Sequence, residues 1–359
     1  MTAYSLNCCL EIGVHFNRSG SETTGTMLEE EKMRFIAAFR WLLACAGLVA
    51  WAAAHGAAAP AELTYPTKPV RMIVPFSPGG TNDILGRMIA THLSDRLGRP
   101  FIVDNRTGAD GTIGTDVASK ANPDGYTLIV LSSAYAMNPA VRKLPYDPKT
   151  AVDFIIGLGS GPTILTVGPA MPVDSVKALF AVAKSKPGQV TIGTSGGFQY
   201  FATALLKTLS GHDFNIVSYK GTAPALVDVI GGQTHATIAP ILPSQPHIKS
   251  GRLRPLAMGT LKRSAMFPEL PTLDELGVKG YDAANWYTIA TTPRTPKPIT
   301  DRLHKEIAAY MHSPDTLKTL TGMGVEVEVK STQEVRKFVV TEIEKWRKVA
   351  IDAKMPRDL

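Results

Sequence analysis

From Val70 onward, short apolar runs alternate with stretches in which apolar residues recur every three or four positions. The runs at 70–75, 101–104, 127–131, 154–158, 164–167, 190–192, 215–218, 236–239 and 255–258 predict strands. Leu85, Met88, Ile89, Leu93 and Leu97 fall on one face of a helix that starts right after the first strand. Helical spacing returns in "SVKALFAVAKS" from Ser175, in "FATALLKTLS" from Phe201, and in two long stretches from Ile299 and Thr332. Strands alternating with helices predict an α/β fold built on parallel sheets, with a C-terminal third richer in helix.

The pattern before Val70 is of another kind. Arg34 and Arg40 precede an apolar run from Trp41 to Ala54, and Ala59-Pro60-Ala61 offers a small-residue cleavage site before Glu62. The spacing predicts a secretory signal peptide over 33–61. Its apolar run falls short of the roughly 20 residues a membrane span needs. Leu42-Leu43-Ala44-Cys45 lies too close to Arg40 for a lipidation site. Residues 1–32 resemble neither signal nor domain, so Met33 is the expected start of translation. The mature protein is expected in the periplasm.

Composition changes this picture little. The 359 residues carry 38 Lys+Arg against 31 Asp+Glu, a formal charge of +7. Trimming residues 1–61 removes four basic and five acidic residues, which leaves 34 minus 26, or +8. The charges are scattered with no basic block, which excludes a nucleic-acid footprint. Cys8, Cys9 and Cys45 all precede the expected cut, so the mature chain needs no disulfide and has no thiolate chemistry. Scattered histidines and carboxylates give no metal-ligand spacing, and no cofactor motif is present.

Candidate chemistry sits where strands hand over to helices. In "RMIVPFSPGGTNDILGRMIATHL" a strand ends in a Pro-Phe-Ser-Pro-Gly-Gly turn. The first amides of the following helix lack intrahelical partners and favour an anion. Gly79 and Gly80 let a ligand approach the backbone. Thr81 or Asn82 can cap the helix, and Asp83 reads as an organiser of loop and water. A plain capped turn fits these residues equally well. Gly108, Gly111 and Gly114 in "NRTGADGTIGTDVA" have G-x-x-G-x-x-G spacing, which fails the dinucleotide pattern. Ser132 and Ser133 end the third strand and can offer hydroxyls or simply cap the next segment. Gly193-Thr194-Ser195-Gly196-Gly197 fits G-x-S-x-G in a strand-turn-helix setting. It admits either an anion-binding turn or a serine nucleophile, with Asp228 and His235 or His247 as partners of Ser195.

These motifs, with "VSYKGTAPALVDVIGGQTHA", "PSQPHIKSGRLRPLAM" and "PELPTLDELGVKGYDAANWY" following in order, resemble the Bug-type periplasmic solute-binding receptors of the tripartite tricarboxylate transporter system. The resemblance spans nearly all of Glu62 to Leu359. It implies a two-lobed periplasmic-binding-protein fold with a hinged central cleft. One lobe would hold 62–163 plus 287–359, the other 164–286. It implies a non-enzymatic monomer that captures a small organic acid for membrane permease subunits or a membrane sensor. The ligand carboxylate would be held by amides, hydroxyls and waters. Phe76, Ser77, Gly79, Gly80, Thr81 and Asp83, with Ser132 and Ser133, would form one side. Thr194, Ser195, Gly196 and Gly197 would form the other, with Lys220 and Gly221 at the rim. The chain departs from the family pattern at Ala239-Pro240, where an acidic residue is common, and at Thr288 and Arg294 in "WYTIATTPRTPKPI". These departures leave ligand identity and the hinge floor open.

Overall fold

The computed structural model describes residues 64–195 and 197–356, together with Met33, Arg34, Ile36, Ala37 and Trp41. The chain falls into two compact units, Met1–Glu62 and Leu63–Leu359. In the first unit the five described residues are helical. The remainder of the expected extension and signal peptide lies outside the described residues. No helix among the described residues is long and apolar enough to cross a membrane.

The second unit is an α/β structure with two sheets. The first is six-stranded and combines β1 (Val70–Val74), β2 (Phe101–Asn105), β3 (Thr127–Ser132), β4 (Asp153–Gly161), β10 (Asn285–Thr291) and β11 (Glu326–Lys330) in the order β11-β4-β10-β3-β1-β2. The second is five-stranded and combines β5 (Thr163–Val167), β6 (Thr191–Thr194), β7 (Asn215–Ser218), β8 (Ala236–Pro240) and β9 (Arg254–Met258) in the order β7-β6-β8-β5-β9. Both are mixed, which corrects the expectation of parallel sheets. β1 pairs in parallel with β2 and β3, and β6 with β7 and β8. β10, however, runs antiparallel between β3 and β4, and β5 runs antiparallel to β8 and β9. Antiparallel neighbours arise because the chain leaves the first sheet after β4, builds the second, and returns at β10.

Helix α1 (Thr81–Leu97) shows how pattern becomes packing. Leu85, Ile89 and Leu93 are fully buried against the sheet, each contributing roughly 2 kcal/mol of transfer free energy. Gly86 makes the close approach possible, since a Cβ there would meet Val74 Cγ2 at 2.8 Å and Val130 Cγ2 at 3.2 Å. Two strands escape the periodicity. In β10, Thr288 and Thr291 interrupt the apolar run, yet both are buried. Their hydroxyls donate to Ile156 O at 2.6 Å and Thr127 O at 3.0 Å, so threonine behaves here as a core residue. β11 reads Glu-Val-Glu-Val-Lys, a half-buried edge.

The remaining helices are α2 (Thr112–Ser119), α3 (Ala134–Val141), α4 (Val176–Ser185), α5 (Gly197–Ser210), α6 (Thr222–Ile230), α7 (Ile241–Lys249), α8 (Lys297–Met311), α9 (Pro314–Gly322) and α10 (Thr332–Asp352). α10 opens on a capping box between Ser331 and Glu334. It then buries Glu342 beneath the returning strand. This carboxylate accepts from Trp286 Nε1 at 3.1 Å, Trp346 Nε1 at 2.8 Å and Lys345 Nζ at 2.7 Å. Trp346 packs edge-on against Phe201 of α5, with ring centroids 5.7 Å apart. Removing a buried acceptor strands both indole donors. Glu342→Ala is therefore expected to cost about 3 kcal/mol in urea unfolding, whereas a cost below 0.5 kcal/mol would show that the carboxylate does not hold this junction.

Candidate functional site

The opening turn is built around a carboxylate. β1 stops at Val74, residues 77–80 stand exposed, and α1 begins at Thr81. Asp83 folds back beneath the turn and accepts from Gly79 N at 3.0 Å, Arg87 Nε at 2.9 Å and Asn105 Nδ2 at 2.9 Å. Asn105 Nδ2 also donates to Phe76 O at 3.0 Å, tying the loop to the edge strand. Burial opposes the charge on Asp83, but the hydrogen bonds from Arg87, Gly79 and Asn105 outweigh it and hold the carboxyl at about 2.

A cavity of about 630 Å³ opens between the ends of the two sheets. Ser132 and Ser133 line it at the end of β3, where α3 begins. The same face of α3 continues through Met137, Asn138, Val141 and then Arg142, an i, i+4 stripe starting beside Ser133. Ser195 and Gly197 line it where α5 starts, and Gly221 and Thr222 where α6 starts. Three helix N-termini thus face one space, and their first amides have no partner within the helix. Ser133 Oγ donates to Asn285 Oδ1 at 2.5 Å, and Asn285 Nδ2 donates to Tyr287 OH at 3.0 Å. Burial pushes the Tyr287 phenol up to about 12, against hydrogen bonds from Thr81 and Asn285. Thr81 therefore belongs to the cavity's framework and not its wall. Across the space, Ser195 N donates to Gln199 Oε1 at 2.8 Å, Gln199 Nε2 to Thr222 Oγ1 at 3.0 Å, and Thr222 Oγ1 to Ser195 Oγ at 3.3 Å. These polar groups form a closed, oriented ring at the start of α5 and α6.

The cavity also holds charge. Asp110 sits with φ 49° and ψ 42°, next to Ala109 at φ 46°, so two adjacent non-glycine residues adopt the left-handed region. Asn138 Nδ2 fixes this turn by donating to Asp110 O at 3.0 Å. The Asp110 carboxylate pairs with Arg142 at 2.9 Å. Its other oxygen lies 3.9 Å from where a Cβ on Gly197 would stand. Lys220 contributes a second cation to the wall.

Of the residues expected from sequence, Phe76, Ser132, Ser133, Ser195, Gly197, Lys220 and Gly221 line this cavity. Ser77, Gly79, Gly80, Thr81, Asp83 and Thr194 do not, and Gly196 lies outside the described residues. Thr194 is buried, and its carbonyl accepts from Tyr219 N. Asp110, Asn138, Arg142, Gln199, Thr222 and Asn285 line the cavity without having been singled out. Only the stripe along 134–142 carried a readable signal for any of them. Of the residues that departed from the family pattern, Pro240 lines the wall, while Thr288 is a core strand residue and Arg294 takes a turn at φ 69°.

The nucleophile reading of Ser195 finds no support in this geometry. Its partners are Gln199 and Thr222, both neutral. His235, one expected base, is held at the opposite end of β6, where its Nδ1 lies 2.7 Å from Thr191 Oγ1. Among the described residues no histidine lines the cavity. Among the described residues no group of three or more metal-ligating side chains comes together. A second cavity of about 430 Å³ lies behind β10 and α10, beside Asp282, Trp286 and Glu342, and contains none of the expected site residues.

Residues 85–354 match the family described as tripartite tricarboxylate transporter family receptor. The protein BugT of Bordetella pertussis is 35% identical over 311 residues, which is 85% of this chain and 95% of that protein. The structure of R. palustris Rpa4515 with adipate is similar with a TM-score of 0.70 and 36% identity, over 82% of this chain and 99% of that one. The structure of MatC from Rhodopseudomonas palustris with bound malate is similar with a TM-score of 0.66 and 26% identity, over 79% of this chain and 99% of that one.

The depressed Asp83 carboxyl has a consequence in acid. Its contribution to stability is present above the ordinary carboxylate range and is lost as pH falls from about 4 toward 2. Asp83→Asn is expected to lower stability by about 2 kcal/mol at pH 6, and by much less at pH 2, in parallel denaturant melts. An equal loss at both pH values would show that the charge does not organise the turn.

Proposed function

The chain belongs to the tripartite tricarboxylate transporter receptor family, and from that premise we propose that it captures a small organic carboxylate in the cavity between its two sheets. The observation that carries this reading is the meeting of three helix starts, those of α3, α5 and α6, on one cavity of about 630 Å³. Their amides, with the hydroxyls of Ser132 and Ser195, supply neutral donors to a carboxylate without a fixed cation at the same point. Relatives solved with adipate and malate support the ligand class.

The Ser77–Thr81 turn, with Gly79, Gly80 and the Asp83 brace, forms the outer rim on this reading, and Thr194 and Gly197 belong to the facing turn. Residues 62–163 with 287–359 form one lobe and 164–286 the other. Each sheet supplies part of the donor set, so affinity belongs to the state in which the lobes close on the ligand. The protein acts as a monomer in the periplasm, exported by the segment 33–61. It hands its ligand to membrane permease subunits. No step of the reading requires a cofactor or a covalent intermediate.

Native mass spectrometry of freshly purified protein is expected to show a copurifying small acid. Ser195→Ala is expected to raise the Kd for that acid about 3- to 10-fold, the effect of one donor among several. Failure of the protein to bind any carboxylate, or an esterase activity that Ser195→Ala abolishes, would overturn the reading.

A further inference from the structure

Of the helix starts that line the cavity, one has a carboxylate of the protein's own close beside it. The start of α3 offers Ser132, Ser133 and the first amides beyond them. The start of α5 offers Gly197, but Asp110 reaches it from the opposite sheet's side, with one carboxylate oxygen 3.9 Å from the position of a Gly197 Cβ. Two successive left-handed residues, Ala109 and Asp110, hold the carboxylate there, and Asn138 fastens the turn. The pairing partner of Asp110, Arg142, ends the wall that begins at Ser133. Helix α3 has eight residues, so the two ends of that wall lie about 12 Å apart. Between them Met137 and Val141 on α3 and Phe198 and Phe201 on α5 supply apolar wall, interrupted by Asn138 and Gln199. Asp110 against Arg142 and Lys220 leaves the cavity one net positive charge, two minus one.

The geometry points to a ligand with a single carboxylate and an apolar body, with Asp110 as the residue that rejects a second negative charge. The carboxylate takes the Ser132–Ser133 cradle, and the body lies along Met137, Val141 and Phe198. The far end meets a guanidinium already neutralised by Asp110 and a carboxylate facing the α5 start. A second ligand carboxylate there would meet the like charge of Asp110. A neutral or hydrogen-bond-donating end meets no such opposition. This inference rests on the carboxylate-binding reading and narrows its substrate class.

Matched acid pairs test it by isothermal calorimetry: hexanoate against adipate, and benzoate against terephthalate. The wild-type protein is expected to bind the monoacid of the better-bound pair at least about tenfold more tightly than its diacid. Asp110→Asn keeps the volume and removes the charge. It is expected to shrink that preference about tenfold or reverse it, with ligand-free melting temperatures of the two proteins agreeing to within about 2 °C. Arg142→Gln, which removes the pairing cation and leaves Asp110 in place, is expected to weaken diacids further. A wild-type preference for diacids, or an unchanged monoacid-to-diacid ratio in Asp110→Asn, would overturn the inference alone. Absence of binding by all four acids to both proteins would overturn the inference, whereas the carboxylate-binding reading falls only if the copurifying molecule is not a carboxylate.

Discussion

A helix that starts at the rim of a cavity leaves its first amides without internal partners, and those amides must be met by something. In this protein the starts of α3, α5 and α6 meet over the same space. The rest of the structure serves to bring them there. β3 delivers Ser132 and Ser133, β6 delivers Ser195, and the strand-end geometry common to α/β sheets places each turn at the edge where ligands settle. The polar side chains nearby are engaged with one another, so the donors stay oriented before any ligand arrives. Ser133 is pinned by Asn285, and Ser195 is pinned by Gln199 and Thr222. Preorganisation of this kind lowers the entropy lost on binding.

The returning strand β10 links the two halves of the chain. It inserts between β3 and β4 in the first sheet, and its first residue, Asn285, reaches the cavity. One residue on, Trp286 faces away from the cavity and donates to Glu342. Glu342 also holds Trp346, which packs on Phe201, a wall residue of the cavity on α5. The site and its support are therefore built from the same few contacts. A buried carboxylate with three donors is worth keeping there because any relaxation of it would shift both β10 and α5.

Much of this was legible along the chain. The strands that carry dense apolar runs, such as β1, β3 and β5, stand where the pattern puts them, and so does the apolar stripe of α1. The cavity residues Ser132, Ser133, Ser195 and Gly197 were legible because each lies at or just beyond the end of a recognisable strand. β10 was not, because buried threonines mimic a polar segment until their hydroxyl partners are known. α3 shows an i, i+4 stripe through Ser133, Met137 and Val141, but Asn138 and Pro139 inside the helix obscured it. Gln199 and Asn285 are neutral amides whose importance lies in joining a local partner to one distant in sequence, Thr222 for Gln199 and Ser133 for Asn285. Asp110 was hidden in a glycine-rich loop whose spacing spoke only against a dinucleotide. Its meaning depends on Gly197, 87 positions away, and on Arg142.

The central claim is that peptide amides and hydroxyls at converging helix starts, not a side-chain cation, hold the ligand's carboxylate. A crystal structure of the protein with its copurifying acid tests this most directly. The account predicts the carboxylate within about 3 Å of donors at the start of α3 and of the Ser195 hydroxyl. A carboxylate seated instead on Arg142 or Lys220, or an acid bound outside this cavity, would contradict it.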